Sequence, residues 1–226
     1  MKASVALLFL SLIWSCGTSS PEGSTPDTAT TSKPAALDAE KARDEWQKPG
    51  ELIQLMGGDL SGMTIVDLFA EDGYFTFKMI EAGANVIAVE NDPAKAAAIE
   101  ERKRALGLTD DRLRIRTVPV GDPGIGPEEA DMAFMAHRFL TIADRDTYFQ
   151  LLRRGLREPR PLYMLEWQNR QTPMGPPVSE RRSVEDIMDM ISTTGYSDVG
   201  AHSAKIPDQV IFIITDYIDL EGVEGM

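Results

Sequence analysis

Apolar positions along the chain fall into short runs separated by longer amphipathic stretches. The runs predict strands at Thr64–Leu68, Asn85–Glu90, Met132–Ala136 and Leu162–Glu166. Leu113–Val118 alternates apolar and polar residues, as a strand exposed on one face would. The stretches between them predict helices at Leu37–Gln47, Pro49–Met56, Tyr74–Ala82, Pro93–Leu106, Arg145–Leu156 and Val184–Thr193. Pro49 opens one of these, and Gly57-Gly58, Gly83 and Gly107 close three. In Arg145–Leu156 the inward residues are expected to be Tyr148, Leu151, Leu152 and Leu156. Two last strands, Asp198–Ala204 and Val210–Thr215, are joined by Lys205–Gln209, which is too short for a parallel crossover. They should be antiparallel neighbours. The alternation as a whole predicts an α/β fold with a mostly parallel sheet and helices on both faces.

The first residues break this pattern. After Lys2, Ala3–Trp14 is apolar apart from Ser4 and Ser11. Such a helix reaches about 18 Å, short of a ~30 Å hydrocarbon core, so a signal peptide fits better than a membrane span. From Gly17 to Ala36, 14 of 20 residues are Ser, Thr, Pro or Gly, a composition that buries little and serves as a flexible tether. The expected organisation is a signal segment over 1–15, a tether over 16–36 and one folded domain over 37–226.

Composition narrows the chemistry. The chain of 226 residues carries a net charge of −13, which disfavours a nucleic-acid partner. Its one cysteine, Cys16, rules out an internal disulfide and a thiolate metal cluster. His137 and His202 are too few for a histidine-rich metal site, and no metal is expected. Ile13-Trp14-Ser15-Cys16-Gly17 resembles a bacterial lipoprotein lipobox. That resemblance implies lipidation at Cys16 and a membrane-anchored place in the bacterial cell envelope, periplasmic or outward-facing. The alternative is a cysteine that merely follows an ordinary signal peptide.

The first strand and its turn read Ile65-Val66-Asp67-Leu68-Phe69-Ala70-Glu71-Asp72-Gly73. This resembles the S-adenosylmethionine (SAM) loop of class I methyltransferases, V-x-D-[LI]-G-x-G-x-G. Arg43-Asp44-Glu45-Trp46-Gln47-Lys48-Pro49, Asp59-Leu60-Ser61-Gly62, Asp122-Pro123-Gly124-Ile125 and Met174-Gly175-Pro176-Pro177 resemble a bacterial group of small methyltransferase-domain proteins. The resemblance implies a Rossmann-like fold with a seven-stranded sheet whose last strand is antiparallel. It also implies SAM as cofactor, held by Asp67, Phe69, Ala70, Glu71, Gly73, Glu90 and Asp122. Asp67 would orient the loop and the methionine amine, and Asp122 would lie near the adenine amine. Glu90 ends the second strand 17 residues after Gly73, where a carboxylate can accept from ribose hydroxyls. A solvated strand end is the rival reading for Glu90, and a plain turn the rival for Asp122.

Phe69 and Glu71 stand where the family has glycine. A left-handed backbone at either would carry strain of about 1–2 kcal/mol, and Glu71 would face the anionic end of the ligand. At the end of the fourth strand, His137 is the one histidine placed to act as general base, and Arg138 could hold an anionic substrate. The bland reading has His137 lining a pocket or capping the strand. Glu166-Trp167-Gln168 should face the same cleft, and Arg170–Arg182 is either a lid or a surface loop. Two functions follow: a SAM-dependent methyltransferase acting on a small-molecule or protein acceptor, or a catalytically inactive binding or scaffold lipoprotein. A purely structural lipoprotein is a third possibility.

Overall fold

The computed structural model describes residues 33–216. The expected signal segment, Cys16 and most of the expected tether lie outside the described residues. In chain order the elements are α1 (Lys33–Gln47), α2 (Pro49–Leu55), β1 (Thr64–Leu68), α3 (Tyr74–Glu81), β2 (Asn85–Glu90) and α4 (Pro93–Ala105). There follow β3 (Leu113–Thr117), β4 (Met132–Ala136), α5 (Arg145–Gly155), β5 (Leu162–Trp167), α6 (Val184–Ser192), β6 (Asp198–His202) and β7 (Gln209–Thr215).

Seven strands form one sheet in the order β3-β2-β1-β4-β5-β7-β6. The strands β1 to β5 pair in parallel, and β7 runs antiparallel to both β5 and β6. The short connection before β7 therefore does what its length requires. Side chains alternate across the central strands. Ile65, Val86 and Ala88 pack on one face with Leu52, Phe77 and Ile99. Val66, Ile87 and Val89 pack on the other with Tyr148, Leu152 and Ile187. Burial on both faces explains why these strands read as near-continuous apolar runs.

Three helices start on side-chain caps. Asp92 accepts from the Ala94 N–H (2.8 Å), Asp144 from that of Thr147 (3.1 Å) and Ser183 from that of Asp186 (3.0 Å). Two expectations change. Helix α1 begins at Lys33, four residues inside the segment assigned to the tether, because Pro34 suits a first helical turn and Ala35-Ala36 propagate it. Leu151 is not inward: it is 38% exposed, and Phe149 is buried in its place. The core stripe of α5 is Tyr148, Phe149, Leu152 and Gly155, and Leu151 lies on its outer flank.

Helix α1 lies across α3 through polar contacts. The Tyr74 hydroxyl donates to Asp44 (2.6 Å), Lys78 pairs with Glu40 and Asp44 (both 3.0 Å), and the Arg43 guanidinium sits 3.9 Å from the Tyr74 ring centroid. This brings Arg43 and Gln47 over the carboxyl ends of the strands.

Candidate functional site

After β1 the chain builds outward through β2 and β3, then returns to place β4 on the other side of β1. The crevice outside the carboxyl ends of β1 and β4 is thus the topological switch point, where ligands of open α/β sheets bind. A cavity of about 240 Å³ opens there, and Asp67, Phe69, Ala70, Glu71, His137 and Arg138 contribute to its wall. Arg43 and Gln47 of α1 close it from above.

The turn leaving β1 alternates left-handed residues: Phe69 (φ 57°), Glu71 (φ 56°) and Gly73 (φ 76°). Two of the three carry side chains, at a cost of about 1–2 kcal/mol each, and each is held by its surroundings. The Phe69 ring stacks on Tyr148 at 5.9 Å between centroids, under the Arg138 guanidinium. The Glu71 carboxylate pairs with Lys95 and, at 3.3 Å, with Arg138. At Gly73 a Cβ would meet Phe77 and Ile99 at 3.0 and 3.1 Å, so packing as well as backbone geometry selects glycine.

Asp67 is buried at the end of β1 and receives the Thr76 hydroxyl at 2.5 Å. Burial, reinforced by the carboxylates of Glu90 and Asp72, pushes its pKa up to about 7 against that hydrogen bond.

Glu90 does not face the cavity. It is 4% exposed, and its carboxylate accepts from the backbone N–H groups of Glu71 (2.6 Å), Asn91 (2.8 Å) and Asp92 (2.9 Å). Three amides from two turns converge on it and fix its side chain between them. Asp122 is exposed and accepts from the Gly124 N–H at 2.8 Å, which is the turn reading. Arg138 pairs with Glu71 through Nη1 and lies over the Phe69 ring, while its buried Nε has no partner.

His137 ends β4 in a left-handed conformation (φ 56°) and stacks on Trp167 at 4.6 Å. Both its ring nitrogens are buried without a hydrogen-bond partner. Burial drives its pKa down to about 3; the Arg43 charge adds to this, while the neighbouring Gln209 side chain opposes it. A neutral imidazole with that pKa is a poor general base and a good neutral hydrogen-bonding wall.

His137 also lines a second cavity of about 270 Å³, with Leu140, Glu166, Trp167, Pro176 and Arg181. The Glu166 carboxylate accepts from the Phe139 N–H at 3.1 Å, and burial raises its pKa to about 7. Arg181 is buried and organises the loop after β5. Its guanidinium donates to the carbonyls of Gln168, Arg170, Met174 and Pro176 and to the Thr172 hydroxyl. The segment expected as a lid or a surface loop is therefore a built wall. At Gly175 (φ 93°) the loop presses on Trp167, where a Cβ would come within 2.6 Å of the indole. With His137 on the indole and Gly175 against it, Trp167 has little face left for stacking on a substrate. His202 lies exposed on β6, away from both cavities.

The Arg43-to-Pro49 stretch carried a resemblance but no assigned role. Its (i, i+4) spacing puts Arg43 and Gln47 on one helix face, a signal the sequence contained. Lys95 and Tyr148 had none: their contacts with the loop join distant elements.

No protein-family model matches the sequence, and no curated protein does. Solved structures do share its fold. A SAM dependent methyltransferase from Aquifex aeolicus superimposes with a TM-score of 0.69 at 18% identity, over 79% of this chain and 96% of the other. The Haemonchus contortus phosphoethanolamine N-methyltransferase 2, in complex with S-adenosyl-L-methionine, gives 0.63 at 13% identity, over 76% of this chain and 53% of the other. An S-adenosylmethionine dependent methyltransferase from Mesorhizobium loti gives 0.56 at 14%, over 73% of this chain and 95% of the other. The architecture is thus the Rossmann-like fold of class I methyltransferases, with its seven-stranded sheet.

Proposed function

We propose that the chain is a SAM-dependent methyltransferase that holds SAM in the cavity at the β1–β4 switch point. One observation carries this reading. Arg43 Nε, Gln47 Oε1, Arg138 Nε and both nitrogens of His137 are buried without partners, and all four residues line that one cavity. Buried polar groups are rarely left unsatisfied, so their convergence marks a polar ligand site. The donor set suits a zwitterion. Arg43 and Arg138 can donate to a carboxylate, while Gln47 and Asp67 can accept from an ammonium.

SAM supplies an activated methyl group on a sulfonium. The protein's part is positioning and water exclusion: α1 covers the cavity, and Phe69 and His137 form a dry wall. Isothermal titration with SAM tests the reading. Micromolar binding, about −8 kcal/mol, is expected, and no heat at millimolar SAM would overturn it.

A second reading is favoured by Glu71, whose carboxylate already occupies Arg138. In that reading the fold survives as a binding or scaffold module without turnover. SAM binding with no methyl transfer to any extract would support it. We further propose that Cys16 carries lipid and tethers the domain to an envelope membrane. Replacing Cys16 with Ser should release the protein from the membrane fraction, and retention would sink the anchor.

A further inference from the structure

We propose that the second cavity is a binding site for a small primary or secondary amine, recognised through Glu166. On the methyltransferase reading above, that amine is the methyl acceptor.

The cavity's chemistry selects charge. Two carboxylates line it, buried Glu166 and exposed Glu180. Among the described residues the one cation in its wall is Arg181, and each of its three nitrogens already donates to loop oxygens. An anionic ligand would find no free cation and two like charges, with no compensation for its desolvation. A cation meets the opposite situation, in a protein whose net charge of −13 already attracts it.

Size and wall narrow the class. The volume of about 270 Å³ and the apolar contributions of Leu140, Trp167 and Pro176 suit a compact organic body with one polar end. His137 is shared between the two cavities: it forms wall to both, and its buried ring nitrogens have no partner. A neutral imidazole can accept from an amine N–H without repelling it.

On the methyltransferase reading the chemistry balances. The bound ammonium first gives a proton to the Glu166 carboxylate, which frees the nitrogen lone pair. The new N–C bond then forms while the C–S bond breaks and its electron pair stays on sulfur, leaving a methylated ammonium. Burial gives that carboxylate an affinity for protons matched to neutral pH.

Benzylamine, benzyl alcohol and benzoate test the site, being close in shape and cationic, neutral and anionic. Each is titrated by calorimetry into the full chain. Benzylamine should bind at least about tenfold tighter than the alcohol, and benzoate should not bind. Glu166→Gln should cost benzylamine about tenfold and leave the alcohol within about twofold. Should that variant fail to fold, Glu180→Gln on the exposed rim should cost benzylamine about threefold. Equal binding of amine and alcohol, preference for benzoate, or an unchanged benzylamine affinity in the folded variants would overturn the proposal. A parallel SAM titration separates the two claims. Glu166-dependent amine binding without SAM binding sinks the methyltransferase reading alone, and SAM binding without amine selectivity sinks the amine site alone.

Discussion

The backbone N–H of Glu71 donates to the side chain of Glu90 at 2.6 Å, so the tip of β2 holds the strained turn that leaves β1. The same carboxylate accepts from Asn91 and Asp92, and it is buried. Glu90 is thus a keystone between two turns. Glu90→Gln keeps the shape but points an amide donor at backbone donors. It should cost about 1–3 kcal/mol in urea denaturation and weaken SAM binding at least tenfold. Unchanged stability would show that the turn holds itself.

The two left-handed side chains, Phe69 and Glu71, should respond differently to replacement by glycine. Phe69→Gly relieves left-handed strain but removes a buried ring stacked on Tyr148. The net loss should be about 2–3 kcal/mol, since large core truncations cost more than one residue's strain returns. Glu71→Gly trades strain for half-exposed ion pairs to Lys95 and Arg138. Its stability should stay within about 1 kcal/mol, while the freed Arg138 raises SAM affinity. Thermal melts and SAM titrations on the single variants decide this, and a stabilised Phe69→Gly would contradict it.

Gly175 is bound to its place twice over, by a φ of 93° and by the indole 2.6 Å from where a Cβ would stand. Gly175→Ala should destabilise by about 2–3 kcal/mol and displace Trp167 from His137. Near-ultraviolet circular dichroism reads the Trp167 environment. An unperturbed aromatic spectrum would show that the loop yields elsewhere.

Asp67 and Glu166 both hold their protons to about pH 7, whereas the unfolded chain releases them near 3.8 and 4.5. Between those values the unfolded state binds fewer protons than the folded one, so stability falls as pH rises from about 5 to 7 and levels off above. His137 works in the opposite sense. Its folded value of about 3 lies below the ordinary 6.5, so it removes stability as pH falls through 6.5 toward 3. Denaturant midpoints should therefore be lower at pH 8 than at pH 5, and Asp67→Asn should flatten the difference. An equal slope in that variant would mean that Asp67 ionises normally.

Much of the fold was legible in the chain. Thr64–Leu68, Asn85–Glu90 and Met132–Ala136 form strands over the expected residues, and the short link before β7 forced its reversal. Leu151 was misread because a stripe of leucines in α5 fits two neighbouring helix faces, and only the packing of Phe149 chooses between them.

The site divides along a similar line. Sequence by itself marked the turn after Asp67 as the place where left-handed residues would carry strain, and residues 69, 71 and 73 do have positive φ. It also placed Asp67 at the strand end that borders the cavity. Only the tertiary structure decided that Glu90 turns inward, that Arg43 and Gln47 reach the cavity from α1, and that His137 walls two cavities at once. The reason is physical. Hydrophobic periodicity records whether a residue is buried, a local average that each element carries alone. The partner of a buried polar group is set by how distant elements meet, and that information exists only once the sheet is assembled.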